Sequence, residues 1–430
     1  MESADEAGEA AKKSKVFYGW RIVAVGFLAN IASTFALAST LSVFLKAITE
    51  QLGVSRGVFS LLRSGESIIG ALLAPFIGTL VDRHGGRWLL ACGSVIVGVG
   101  YLVLSQVETF WQFVLIRLTL VTVGDALMSS LVINVVLSRW FLRKRGRAFA
   151  VSSMGVGFGK IGMPLFAAAL LVWLGWRQAW AVFGLITVVL VVAPALLYVR
   201  RRPEDMGLQP DGPSGGADPG TAAGRQRGAA RPSIETGVVW SRGEAVRTRT
   251  FWLVVITFGI SSIGVTGLNL HVFAYVSDIG HSAIVAATVM SVIAFTQLAS
   301  PLLWGLLAER VDLRKAAMMR FIIQAAGLLV AVGTGDLFLL YLGFFLYGIG
   351  LGGNMVLPDL IWANYYGPVS LGAIRGLGLL LTNLLAATGP PFFGFLFDMT
   401  GSYFLSFTLF SLALAVSAVL SLALRPPQKK

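Results

Sequence analysis

Twelve stretches of this chain are each long and apolar enough to cross a lipid bilayer, and no other feature restricts its fold so tightly. They run near 20–45, 58–80, 88–106, 109–137, 147–173 and 178–199, then near 251–276, 283–307, 316–333, 337–362, 372–397 and 403–424. A helix needs roughly 20 apolar residues to traverse about 30 Å of hydrocarbon. In that medium only a helix or a closed barrel satisfies its own backbone polar groups. With 430 residues shared among twelve spans, little chain remains for a soluble domain. Only 13% of residues are charged, against about a quarter in soluble domains. The expected fold is an all-α membrane protein of twelve transmembrane helices.

The net charge of +13 would suit nucleic acid, but the basic residues border the spans. With a cytoplasmic amino terminus, 28 of the 34 lysines and arginines fall on the tails, the even-numbered junctions or the central gap, Arg139, Arg200 and Arg320 among them. Lys46, Arg56 and Arg177 fall on the other side, and Arg63, Arg117 and Lys160 within spans. This is the asymmetry of cytoplasmic loops. It implies a multi-pass inner-membrane protein with both termini cytoplasmic, and argues against nucleic acid as a partner. Cys92 is the single cysteine, so no intrachain disulfide can form. Three scattered histidines and the lack of a GxxxxGK[ST] motif give no sign of a metal, a cofactor, an ATP site or an enzyme.

The polar gap divides the spans six and six. The expected organisation is a cytoplasmic tail (1–17), a six-helix bundle (18–200), a cytoplasmic linker (201–250), a second six-helix bundle (251–424) and a short cytoplasmic tail (425–430). The linker is rich in Gly, Pro, Ala and Arg, with a short amphipathic segment expected around Ile234–Trp240. The junction after the second span reads GTLVDRHGGR, with Gly78, Asp82, Arg83 and Arg87; that after the eighth reads GLLAERVDLR, with Gly305, Glu309, Arg310 and Arg314. Glycine, acid and arginines keep the same spacing in both, which marks two pseudo-symmetric halves. The glycine permits close helix approach, and the acid can accept from a helix N-terminus or pair with an arginine of an adjoining span. These eight residues are the expected conformational lock.

Twelve spans, a basic central loop and this duplicated motif resemble the major facilitator superfamily of secondary transporters. VFYGWRIV (Val16–Val23) and WFLRKRGRAFAVSSMG (Trp140–Gly155) resemble signatures of monocarboxylate transporters. PEDMGLQPDG (Pro203–Gly212), YYGPVSLGAIRG (Tyr365–Gly376) and GPPFFGFLFDMTGSY (Gly389–Tyr403) look like bacterial members related to oxalate/formate porters. The resemblance implies two rocking six-helix bundles with a solute between them, and an arginine such as Arg117 in the fourth span. It also implies a first-span lysine and an eighth-span acid and base, where this chain aligns Ser39, Gln297 and Ser300. That part of the family's chemistry does not carry over.

An ionisable side chain at mid-depth is expensive and marks function. Glu66, Arg117 and Lys160 fall near the midplane, with Arg63 and Asp125 nearby, all in the amino-terminal half. Three cations against two acids leave a surplus positive charge, which favours an anion where screening is poor. Lys160 and Arg117 are candidate substrate contacts, joined by the neutral groups Asn30, Thr34, Gln297, Asn354 and Asn383. Glu66 and Asp125 are candidate proton carriers. Asn269 and His271 lie where a gate could form, and Asp359 is placed to pair with Arg375. The expected function is transport of a small organic anion, a mono- or dicarboxylate, coupled to protons. Its partners are the solute, protons and the lipid bilayer, and the expected state is a monomer. Anion exchange and proton-driven multidrug export are the alternatives.

Overall fold

The computed structural model describes residues 17–142, 144–211, 240–367 and 371–428. The amino-terminal residues 1–16, most of the segment expected around Ile234–Trp240 and the side chain of Asp82 lie outside the described residues.

Helices long and apolar enough to span a membrane account for nearly all of the rest. The first half contains α1 (Gly19–Leu52), α2 (Arg56–His84), α3 (Gly86–Leu104) and α4 (Phe110–Trp140). It is completed by one helical run, Arg145–Tyr198, that is too long for a single crossing. That run reverses at Gly175, whose φ of 80° and ψ of 168° suit glycine alone, so it supplies both α5 (145–174) and α6 (176–198). The second half contains α7 (Arg249–Asp278), α8 (Ala283–Arg310), α9 (Leu313–Val332) and α10 (Leu337–Tyr366). It closes with α11 (Leu371–Ala387, continued as Gly389–Thr400) and α12 (Phe404–Leu422). The described residues thus form twelve spans.

Small residues let the helices of each half approach closely, as membrane helices require, and they do so at matching places. A Cβ on Gly93 of α3 would lie 2.8 Å from the Gly124 carbonyl oxygen of α4; one on Gly327 of α9 would lie 2.6 Å from that of Gly343 in α10. Gly155 of α5 presses on the Phe27 carbonyl of α1 as Gly389 of α11 presses on the Ile263 carbonyl of α7. The two bundles are therefore pseudo-symmetric in packing as well as in motif.

Call the face where α1 begins and α12 ends the terminal face. Every cross-half hydrogen bond and ion pair among the described residues lies between the opposite face and mid-depth. The polar contacts that join the bundles therefore lie on that side.

Candidate functional site

Three helices that border the space between the bundles are interrupted there. The α-helical part of α1 ends at Ser33, passes through a tight turn (Thr34–Ala36) and resumes after the extended Leu37. α11 breaks at Thr388, and α10 carries a tight turn at Gly353–Met355. A broken helix frees carbonyls that hydrocarbon cannot solvate, and neighbouring side chains answer them. Arg117 Nη2 donates to the Ala36 carbonyl (3.3 Å), Ser64 Oγ to Ala387 (2.5 Å) and Thr266 Oγ1 to Ala386 (2.5 Å).

The interrupted segments of α1 and α11 border a central cavity of about 510 Å³, whose walls include Ser39, Arg63, Lys160, Asn269, Gln297 and Asn383. Lys160 has no acidic partner among the described residues. Arg63 has one: its Nη1 donates to Glu66 Oε2 at 2.7 Å, the i, i+3 pairing expected on α2. Glu66 Oε1 accepts from Arg117 Nε at 2.6 Å, so one carboxylate is held between two guanidinium groups. Arg117 is fully buried, stands 5.4 Å from the Trp180 ring and opens a π-helical turn, Arg117–Val121, that bulges α4 around it.

Glu66, Arg117 and Asp125 border a second cavity of about 320 Å³ inside the amino-terminal half, and Arg63 lines both cavities. Asp125 Oδ1 and Arg117 Nη1 are buried there without a hydrogen-bond partner. A third cavity, about 210 Å³, lies in the other half against Ser262, Asn354, Thr382 and Asn383, and Asn383 belongs to this one and the central one. At its edge Arg375 grips Asp359 through two hydrogen bonds of 2.6 and 2.7 Å.

Lys160, Gln297 and Asn383 therefore meet in the central cavity, while Arg117 and Asn354 stand in side cavities. Asn30 and Thr34 reach none of these three. Asn30 donates to the Ser152 carbonyl (2.9 Å) and accepts from Ser130 Oγ (2.9 Å), tying α1 to α5 and α4. Thr34 Oγ1 returns to the Ile31 carbonyl at 2.6 Å beside Gly159. Both lie against neighbouring helices.

Two features escaped the sequence reading. Arg320, assigned above to a junction, lies fully buried two turns inside α9, so the buried cations are not confined to the first half. Arg56, Lys46 and Asp278 form an ionic latch on the opposite face. Asp278 accepts from Arg56 and lies 3.0 Å from Lys46 Nζ, while Asp398 Oδ1 and Oδ2 cap the start of α2 by accepting from Arg56 N (3.0 Å) and Gly57 N (2.8 Å). His271 lies buried behind the latch, within 2.8 Å of Tyr403 Oη and 3.0 Å of Ser60 Oγ. Of the expected lock, Gly78 and Gly305 have open space where a Cβ would stand. Arg83, Glu309 and Arg310 are exposed, and Arg87 is half-buried with its Nε unpartnered. Arg314 pairs with Asp312 on its own helix at 2.8 Å.

Twelve spans in two matched bundles, with a polar cavity at the seam, define a multi-pass membrane protein of the transporter class. The chain belongs to the Major Facilitator Superfamily, whose family model matches residues 24–296 and 272–430. It is 26% identical to monocarboxylate transporter 6 of Mus musculus over 90% of this chain and 82% of that one. It is 32% identical to a probable L-galactonate transporter of Escherichia coli, over 38% of this chain and 36% of that protein. Among solved structures it matches a bacterial homolog of the human lysosomal transporter Spinster, in an inward-facing and occupied conformation. There the TM-score is 0.73 at 16% identity, covering 96% of this chain and 97% of the other. Family members are transporters.

Proposed function

We propose that this protein is a secondary active transporter that carries a small organic anion, a mono- or dicarboxylate, across the inner membrane with protons. The terminal face, which carries the basic junctions, is the cytoplasmic one, and both termini lie there. One observation carries the reading: Lys160 lines the cavity at the seam with no acid to neutralise it among the described residues. A cation so placed attracts an anion through a poorly screened field. The names of the two relatives, which concern a monocarboxylate and a sugar acid, agree with that charge.

Arg63 supplies a route for coupling because it faces both the central cavity and Glu66. A substrate carboxylate that draws Arg63 toward the central cavity deprives Glu66 of one of its two guanidinium partners. Glu66 then takes a proton in exchange, with Asp125 in the same side cavity as its relay. Rocking of the bundles about the cavity delivers both to the other side.

Uptake of radiolabelled lactate, succinate and gluconate into proteoliposomes, with and without an inward proton gradient, tests the proposal. Uptake of at least one acid that rises with the gradient is expected. Lys160→Gln should raise KM about tenfold or more, and Lys160→Arg should restore most of it. A Lys160→Gln protein with unchanged KM would remove the anion site, and equal uptake in the absence of a gradient would remove the proton.

A further inference from the structure

Arg320 is a buried cation whose acceptors are neutral. Its Nη1 donates to Asn354 Oδ1 (3.1 Å) and its Nη2 to Ser261 Oγ (2.8 Å), while its Cζ stands 4.0 Å from the centre of the Phe321 ring. Gly353 makes the approach possible, since a Cβ there would lie 2.8 Å from Arg320 Cδ. A guanidinium can only donate. The Asn354 carboxamide must therefore turn its oxygen to Arg320 and its NH2 group away. Asn354 sits in the tight turn that interrupts α10 and lines the cavity of the carboxyl-terminal half, which shares Asn383 with the central cavity. Its Nδ2 has no partner among the described residues.

We propose that Arg320 is a positioning residue for solute recognition: by holding Asn354 Oδ1 it presents the Asn354 NH2 as a donor to a second oxygen of the solute. This rests on the organic-anion reading and narrows it. The carboxylate sits by Lys160, and a hydroxyl or second carboxylate further along the molecule accepts from Asn354. The preferred solute is then a hydroxylated acid or a dicarboxylate rather than a short plain acid, because an acid without that second oxygen leaves the Asn354 N–H unpaired.

The test compares gluconate, which carries hydroxyls along its chain, with propionate, which carries only the carboxylate. Their Kd values are measured by calorimetry on the full-length purified protein. Wild type should prefer gluconate by about tenfold or more. Asn354→Leu removes the donor with a side chain of nearly the same size and adds no charge; it should abolish the preference, with the loss falling on gluconate more than on propionate. Arg320→Gln should do the same, Arg320→Lys should restore the preference, and Ser261→Ala should leave it intact. Asn354→Leu is close to isosteric and keeps the test decisive if Arg320→Gln does not fold. A wild-type preference that survives in Asn354→Leu overturns the inference, as does equal wild-type affinity for the two acids. So does an Arg320→Gln protein that loses both acids alike. Wild type that binds neither acid overturns the organic-anion reading itself, and the inference with it.

Discussion

Arg56 Nη1 lies 2.5 Å from Asp278 Oδ2, although the two residues are 222 positions apart and belong to different bundles. Tyr403 Oη accepts from the same guanidinium nitrogen at 3.0 Å, and the Phe397 ring centre lies 3.9 Å from Arg56 Cζ. Alternating access requires this contact to break whenever the opposite face opens. Hydrogen bonds to charged groups contribute about 1.5–3 kcal/mol when shielded; Asp278 is 22% exposed, which brings the value nearer 1 kcal/mol. Asp278→Asn should therefore raise the fraction open on the opposite face by roughly fivefold. A cysteine placed at Ser39, in a Cys92→Ser background, should react several-fold faster with a membrane-impermeant maleimide applied from that face. Unchanged labelling would show that the pair does not hold the gate.

The same face can be opened without touching a charge. A Cβ on Gly394 of α11 would lie 2.7 Å from the Arg56 carbonyl oxygen and from Gly57 Cα of α2. Backbone stands against backbone here, so neither side can yield by changing a rotamer. Gly394→Ala should wedge α2 from α11 at a cost of about 1–3 kcal/mol. It should accelerate the same labelling while the protein remains monodisperse in detergent. A Gly394→Ala protein with wild-type labelling and melting temperature would show that the contact relaxes freely.

Hydropathy reveals where a helix runs but not which way it faces. The twelve spans were legible because each apolar run is about a bilayer thick. Asn30 and Lys160 look alike in sequence, each a polar residue within a span, yet one ties helices together and the other faces the cavity. A helix that is apolar all round carries no stripe to tell them apart. The break at Leu37 has no proline or glycine to announce it; Thr40 ties it locally to the Thr34 carbonyl, and Arg117 holds it through a tertiary contact to Ala36. Arg320 reads as a junction arginine because it follows Arg314 and Lys315 closely, although the apolar run near 316–333 already encloses it; hydropathy does not tell that its side chain is buried among neutral groups. The Arg56–Asp278 latch was hidden by distance along the chain.

The Asp312–Arg314 contact gives a pH expectation with a definite sign. The Arg314 guanidinium and backbone N–H hold the Asp312 carboxyl down at about 2, below its ordinary 3.8. A depressed carboxyl contributes stability above its unfolded value, and that contribution is lost as pH falls through the folded one. Between pH 5 and pH 8 Asp312 therefore keeps one charge state and the cap on α9 is constant. Asp312→Asn should leave the shape of the transport pH profile unchanged across that window, with at most a small fall in melting temperature because the pair is exposed. A shifted midpoint in the variant would place Asp312 in the coupling machinery.

Glu66 makes the sharpest demand on the fold because both of its partners are cations. Arg117 is fully buried and Glu66 nearly so, and removing one member of a buried pair leaves a charge without compensation. Such a loss costs about 3–5 kcal/mol. Glu66→Gln should therefore lower the melting temperature of the purified protein markedly, and Glu66→Gln/Arg117→Gln should recover much of the loss by removing the stranded cation as well. Gradient-driven accumulation should not recover with it. If Glu66 is the group that exchanges Arg63 for a proton, both variants should retain solute exchange between the two sides yet fail to concentrate solute when a proton gradient is imposed. Gradient-driven accumulation in the stable double variant would assign the proton to Asp125 instead and reduce Glu66 to a structural counter-ion.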